Sequence, residues 1–134
     1  MSLLIDTDVW VLAEKGANLN LARWASYGGA CMSAITASEL LVGVERANTA
    51  PRRARRGGFV ENLLASVPVL DFSASMARTH ARMLAALPKG LTVGAHDALI
   101  AATALHYGHA LLTRNLADFN IFAGLKLEVF NIAP

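Results

Sequence analysis

One cysteine in 134 residues excludes an internal disulfide framework and any zinc site built on several thiolates. That residue, Cys31, lies in the apolar stretch Gly29-Ala-Cys31-Met-Ser33 and reads as a small buried thiol in a strand. No apolar run is long enough to span a bilayer. The most hydrophobic region, Ala98 to Leu112, is interrupted by His106, Gly108 and His109. The amino terminus lacks a basic segment with a cleavage site, and Asp6 breaks the only early apolar run, so a cytoplasmic location is expected. Internal repeats, linkers and low-complexity segments are missing too.

Charge is also scarce. Charged residues make up 16% of the chain and hydrophobic ones 54%, with a mean hydropathy of +0.41. That balance excludes general disorder and leaves little spare polar surface, which favours an oligomer interface that covers the apolar excess. The length suits one domain spanning residues 1–134. A net charge of +2 and a pI near 9.0 permit a nucleic-acid partner without requiring one. The basic residues cluster at Arg52, Arg53, Arg55 and Arg56, where they suit RNA phosphates, a protein partner or simply a solvated helix face.

The pattern of elements alternates. Leu3 to Ile5, Ala30 to Ser33, Val67 to Leu70, Ala110 to Leu112 and Lys126 to Phe130 read as strands. Between them fall helices over Asp8–Lys15, over Leu19–Tyr27 with Asn18 as cap, and from Thr36 along an apolar face that reaches Ala47. Further helices run from Pro51 to Ala65, from Ser73 to Leu87 and from Ala95 to His106. Gly57-Gly58 is expected to weaken or kink the fourth of these. This alternation indicates an α/β fold with a mostly parallel sheet of about five strands between two helical layers. The helix pair from Thr36 to Ala65 is expected to project as an arm.

Acids punctuate this pattern. Asp6 ends the first strand and Asp8 follows two residues later. Glu39, Asp97 and Asp118 stand at strand ends or helix starts farther on. Each has an ordinary structural explanation. Asp6 and Asp8 suit a helix cap, Thr36-Ala-Ser-Glu39 spells a capping box, Asp97 suits a helix first turn, and Asp118 suits a turn. Together they share a grammar. In a parallel sheet such positions lie along one edge, so Asp6, Glu39, Asp97 and Asp118 converge. Carboxylates that close repel each other unless a cation intervenes. A hard divalent ion such as magnesium answers that need and supports hydrolysis of a phosphate ester.

Four stretches in order carry a resemblance: Leu4-Ile-Asp6-Thr7-Asp8-Val, Ser33-Ala-Ile-Thr36-Ala-Ser-Glu39-Leu, His96-Asp97-Ala-Leu-Ile-Ala-Ala-Thr-Ala and Leu112-Thr113-Arg114-Asn115-Leu-Ala-Asp118-Phe119. Across its whole length the chain resembles PIN-domain proteins, specifically the VapC-type toxins of VapBC toxin–antitoxin pairs. The resemblance implies a Rossmann-like three-layer PIN domain and a Mg2+- or Mn2+-dependent endoribonuclease. Catalytic and metal-ligating roles carry over to Asp6, Glu39, Asp97 and Asp118, with Asp6 and Asp97 as the main ligands. Thr7, Thr113 and Asn115 match supporting polar positions. Asp8 departs from the family's usual asparagine and is placed behind the ligands. The implied partners are a cognate VapB-type antitoxin, tRNA or rRNA as substrate, and a second copy of the chain. An antitoxin arginine entering the acids would replace the metal's charge.

Other polar residues are weaker candidates. Arg114 adjoins the acid loop and suits either a phosphate or a pairing with Asp118. His96 precedes Asp97 but reads as structural. His106 and His109 are separated by Gly108, which argues against a ligand pair. Trp10 and Trp24 read as core. Two rival functions remain open from the residues alone. In a haloacid-dehalogenase-like phosphatase, Asp6 would be the nucleophile and Asp8 the acid/base. In a non-catalytic module, the fold would only bind RNA or protein.

Overall fold

The computed structural model describes residues 1–131. Five strands form one all-parallel sheet: β1 (Leu3–Ile5), β2 (Ala30–Ser33), β3 (Val69–Leu70), β4 (Ala110–Thr113) and β5 (Leu127–Val129). Their order is β3-β2-β1-β4-β5. The chain thus builds outward from β1 in one direction, then returns and builds outward in the other. The reversal falls between β1 and β4, where Ile5 is in register with Leu112. Open α/β sheets bind ligands just beyond such a switch point, at the strands' carboxyl ends.

Strand alternation sorts the core into two faces. Leu3, Ile5, Met32 and Leu112 point into one cluster, beneath α1 (Thr7–Glu14), α2 (Ala34–Glu45) and α3 (Ala50–Ser66). Leu4, Cys31 and Leu111 point into the other, covered by α4 (Ala74–Ala85), α5 (Ala95–Tyr107) and α6 (Leu116–Phe119). Trp10 and Trp24 are buried in the first cluster, as expected of core residues. Cys31 is buried, and burial pushes its thiol up to about 11, which makes it inert.

Several expected elements take another form. The helix expected over Leu19–Tyr27 is only a 3-10 turn, Leu21–Trp24. Asn18 Oδ1 accepts from the Asn20 backbone N–H at 2.9 Å, and Asn20 adopts a left-handed φ of 49°. That local turn diverts the backbone before a helix can start. The third helix begins at Ala34, with Ser33 as its cap and accepting from Ile35 N–H. Thr36 therefore lies inside α2, and the expected Thr36–Glu39 capping box does not form. Helix α3 runs through Gly57-Gly58 without interruption. A side chain at Gly57 would meet Val44 at 3.4 Å, so the glycine permits close packing of α3 on α2. Val67 N–H still bonds Leu63 in α3, which confines β3 to Val69–Leu70.

The expected arm is only partly free. Thr36, Ala37 and Leu40 of α2, and Val60 and Leu63 of α3, are buried on the sheet. Residues 50–55, at the start of α3, stand exposed.

Candidate active site

Asp6 leaves β1 at the switch point. It is only 4% exposed, yet it carries a carboxylate. Oδ1 accepts from Thr7 N–H at 2.8 Å, which caps α1, and Oδ2 accepts from the Thr113 hydroxyl at 2.8 Å. The β1–β4 pairing brings Thr113, the last residue of β4, beside it. Burial pushes the Asp6 carboxyl up to about 6; the two hydrogen bonds oppose that rise, while the charges of Asp8 and Asp97 add to it.

Asp97 lies in the first turn of α5. That helix runs back toward the start of β4, so its amino terminus faces the carboxyl edge of the sheet. Asp97 is raised as well, first by its own burial, then by the charges of Asp118, Glu39 and Asp8, with His96 acting the other way. Asp97 is therefore the hub. It feels Glu39, Asp118 and Asp8, and Asp6 feels it in turn. Of the four acids expected to converge, Glu39 and Asp118 act on Asp97, and Asp97 acts on Asp6.

Glu39 is anchored from two helices. Oε1 accepts from the Thr7 hydroxyl at 2.6 Å, and Oε2 lies 3.3 Å from His96 Nδ1. Thr7 Oγ1 is also 2.9 Å from Thr36 Oγ1. A hydroxyl has one proton, so with Thr7 donating to Glu39, Thr36 supplies the proton of the second bond. Thr36 is fully buried. Its role was hidden by its resemblance to a helix cap. His96, read as structural, stands at the rim and touches Glu39.

Asn115 joins the two acids of the opening motif. Its backbone N–H donates to Thr113 Oγ1 at 3.0 Å, and its side chain donates to Asp8 Oδ2 at 2.7 Å. Asp8 is exposed and tied to the β4 loop through Asn115. Asp118 lies on the short helix α6 rather than in an open turn, and is exposed. Arg114 is exposed and pairs with no acid among the described residues, so the alternative pairing with Asp118 is not formed.

Gly94 was not anticipated. It precedes α5, and a Cβ there would come within 3.0 Å of Asp97 Oδ2. The glycine leaves room for the carboxylate to fold back over the helix start. Its only sequence signal is a glycine three residues before an acid at a helix opening.

The donor set is all oxygen, which suits a hard cation. Among the described residues no three His, Cys, Asp or Glu side chains close into a ready-made cage. Magnesium takes one or two carboxylates and retains several waters, so an open acidic rim fits it. The buried Asp6 carboxylate, destabilised by its surroundings, is the strongest indication that a cation belongs here.

An acid-rimmed switch point on a parallel β3-β2-β1-β4-β5 sheet is the arrangement of a PIN domain, and residues 3–124 match that domain family. The chain is 38% identical to Ribonuclease VapC1 of Rickettsia felis over 128 residues, covering 95% of each. It is 30% identical to the tRNA(fMet)-specific endonuclease VapC of Salmonella typhimurium, covering 96% of this chain and 97% of the relative. A DNA-bound VapBC structure from Salmonella typhimurium superposes with a TM-score of 0.86 at 27% identity, covering 98% of this chain and 99% of that one. The chain belongs to the VapC ribonucleases of the PIN-domain family. Ribonucleases of this domain depend in general on a divalent metal. Among the described residues no helix is long and apolar enough to cross a membrane.

Proposed function

We propose that residues 1–134 act as one PIN domain, a Mg2+- or Mn2+-dependent endoribonuclease that is the toxin of a type II toxin–antitoxin pair in the cytoplasm. Its partners are a VapB-type antitoxin, a transfer or ribosomal RNA substrate and a second copy of the chain. The observation that carries the reading is the buried Asp6 carboxylate held by Thr7 and Thr113 at the switch point, with Glu39 held on Thr7 beside it and Asp97 raised by the neighbouring acids.

Asp6 and Asp97 would hold the divalent ion, and Glu39 and Asp118 would complete its surroundings directly or through water. When bound, the ion would supply charge neutralisation and lower the pKa of a water for phosphodiester hydrolysis. The chain's own residues supply the geometry. Thr113 fixes the Asp6 carboxylate, and Thr7, steadied by Thr36, fixes Glu39. Asp118 is exposed and acts on Asp97, and a nearby carboxylate of this set would take the proton of the attacking water. Arg114, exposed and without an acidic partner among the described residues, takes the substrate phosphate.

Transfer RNA is the favoured substrate, because the Salmonella relative is named for a transfer RNA. The antitoxin follows from the VapBC assembly of the structural relative. The test is sequencing of RNA ends after induction of wild-type and Asp6→Asn chains. The expected result is a discrete set of new ends with the wild type only. Identical ends from both chains would remove Asp6 from the mechanism.

A further inference from the structure

The four clustered arginines do not act alike. Arg56 donates from Nη1 to Gly43 O at 2.8 Å and lies 3.6 Å from Glu14. Arg53 donates to Ala47 O at 3.3 Å. Both therefore engage carbonyls near the carboxyl end of α2, where cations complement the helix dipole. Arg52 makes one contact, to Asn48 Oδ1 on the exposed surface. Arg55 has no hydrogen-bond or ion-pair partner among the described residues, and neither does the Lys15 side chain at the end of α1. Lys15, Arg52 and Arg55 are all exposed.

These three cations line a groove of about 470 Å³ together with Glu14, Gly16 and Arg56. It shares Glu14, Lys15 and Arg56 with a second groove of about 310 Å³, whose lining includes Glu39 of the acidic site. The two grooves therefore adjoin at Glu14, Lys15 and Arg56, with Glu39 on the inner side and the cations Lys15, Arg52 and Arg55 on the outer, of which only Arg52 has a side-chain partner among the described residues. The outer groove has no apolar side chain in its lining. An amphipathic peptide helix needs apolar anchors, whereas a nucleic-acid backbone needs only cations at intervals. Polyanionic single-stranded RNA also needs such a path, because phosphates flanking the cleaved bond must pass the repelling acids.

We infer that Lys15, Arg52 and Arg55 form a backbone-phosphate subsite for single-stranded RNA leading away from the bond cut at the acids. The inference rests on the ribonuclease reading and adds to it a direction of approach. The contacts are to phosphate, so they add affinity and not base preference.

The test measures fluorescence anisotropy of a short single-stranded oligouridylate on the Asp97→Asn chain, which does not consume it. The comparison is the same chain carrying Lys15→Ala and Arg55→Ala, both exposed positions away from the acids. Loss of two phosphate contacts is expected to weaken binding at least about fivefold and to make the slope of log K against log salt shallower by about 1.4. A Lys15→Glu, Arg55→Glu chain is expected to weaken it further, with an unchanged melting temperature. Equal affinity and equal slope in all three chains would overturn the subsite while leaving the ribonuclease reading intact. Loss of antitoxin binding with unchanged RNA binding would overturn it in favour of a protein interface. Failure of the parent chain to bind RNA at all would overturn both.

Discussion

The Thr113 hydroxyl lies 2.8 Å from Asp6 Oδ2 and donates to it from the adjacent strand. The bond pulls the Asp6 carboxyl down against the burial that raises it. Thr113→Val should therefore push Asp6 above about 6 and leave the Asn115 N–H without its acceptor. A stability loss of about 1–3 kcal/mol is expected from the broken hydrogen bonds. Metal binding should weaken most between pH 6 and 7, where the proton now competes. Thr113→Ser should restore both properties. Calorimetric titration with Mg2+ across that pH range is the measurement.

Asp6→Asn should abolish cleavage and stabilise the metal-free chain. The folded Asp6 carboxyl lies above its ordinary value of 3.8, so the folded state holds its proton more tightly than the unfolded one. Stability from this group is present at low pH and is lost as pH rises from about 4 through about 6. The loss is on the order of 3 kcal/mol. Melting curves without metal should place the variant a few degrees above wild type at pH 8, with the gap closing as pH falls below 6. A variant less stable than wild type at pH 8 would contradict the burial argument.

Glu39 and Ser33 should separate cleanly. Ser33 caps α2, so Ser33→Ala should cost about 1 kcal/mol of stability. Glu39 makes no helix cap, so Glu39→Gln should leave the melting temperature nearly unchanged while reducing cleavage at least about tenfold. Paired melting and cleavage assays read both. A large stability loss in Glu39→Gln would show that the Thr7 and His96 contacts of Glu39 serve the fold rather than the site.

Gly94→Ala tests the space above Asp97. The added methyl would press on Asp97 Oδ2, since the ideal position is 3.0 Å away. The backbone φ of −64° is compatible with alanine, so folding should survive. Metal affinity should fall with little change in melting temperature of the metal-free chain. Unchanged affinity would show that the carboxylate relaxes freely.

Much of this was legible in the residues because the signals were local. A strand that ends on Asp6, helices opening near Glu39 and Asp97, and a parallel pattern are enough to place those acids on one edge. What escaped depends on contacts between distant elements. Thr36 spells a cap with Glu39, yet Ser33 begins the helix three residues earlier, which turns Thr36 inward toward Thr7. No local pattern reveals that pairing across helices. The Leu19–Tyr27 segment is apolar enough for a helix, but the Asn18–Asn20 turn prevails over that propensity. The arginine cluster reads as one patch in sequence. Only the position of the α2 carbonyls shows that Arg53 and Arg56 are engaged, while Arg55 has no partner among the described residues.

On the reading proposed above, Asp97 is the hub of a divalent-ion site that cuts RNA. Its most direct test is the cleavage rate of purified Asp97→Asn chain in saturating Mg2+, with melting temperature measured in parallel. A correctly folded variant whose rate falls by at least about a hundredfold, and whose melting temperature no longer responds to Mg2+, is the expected result. Cleavage at the wild-type rate by that variant would contradict the account.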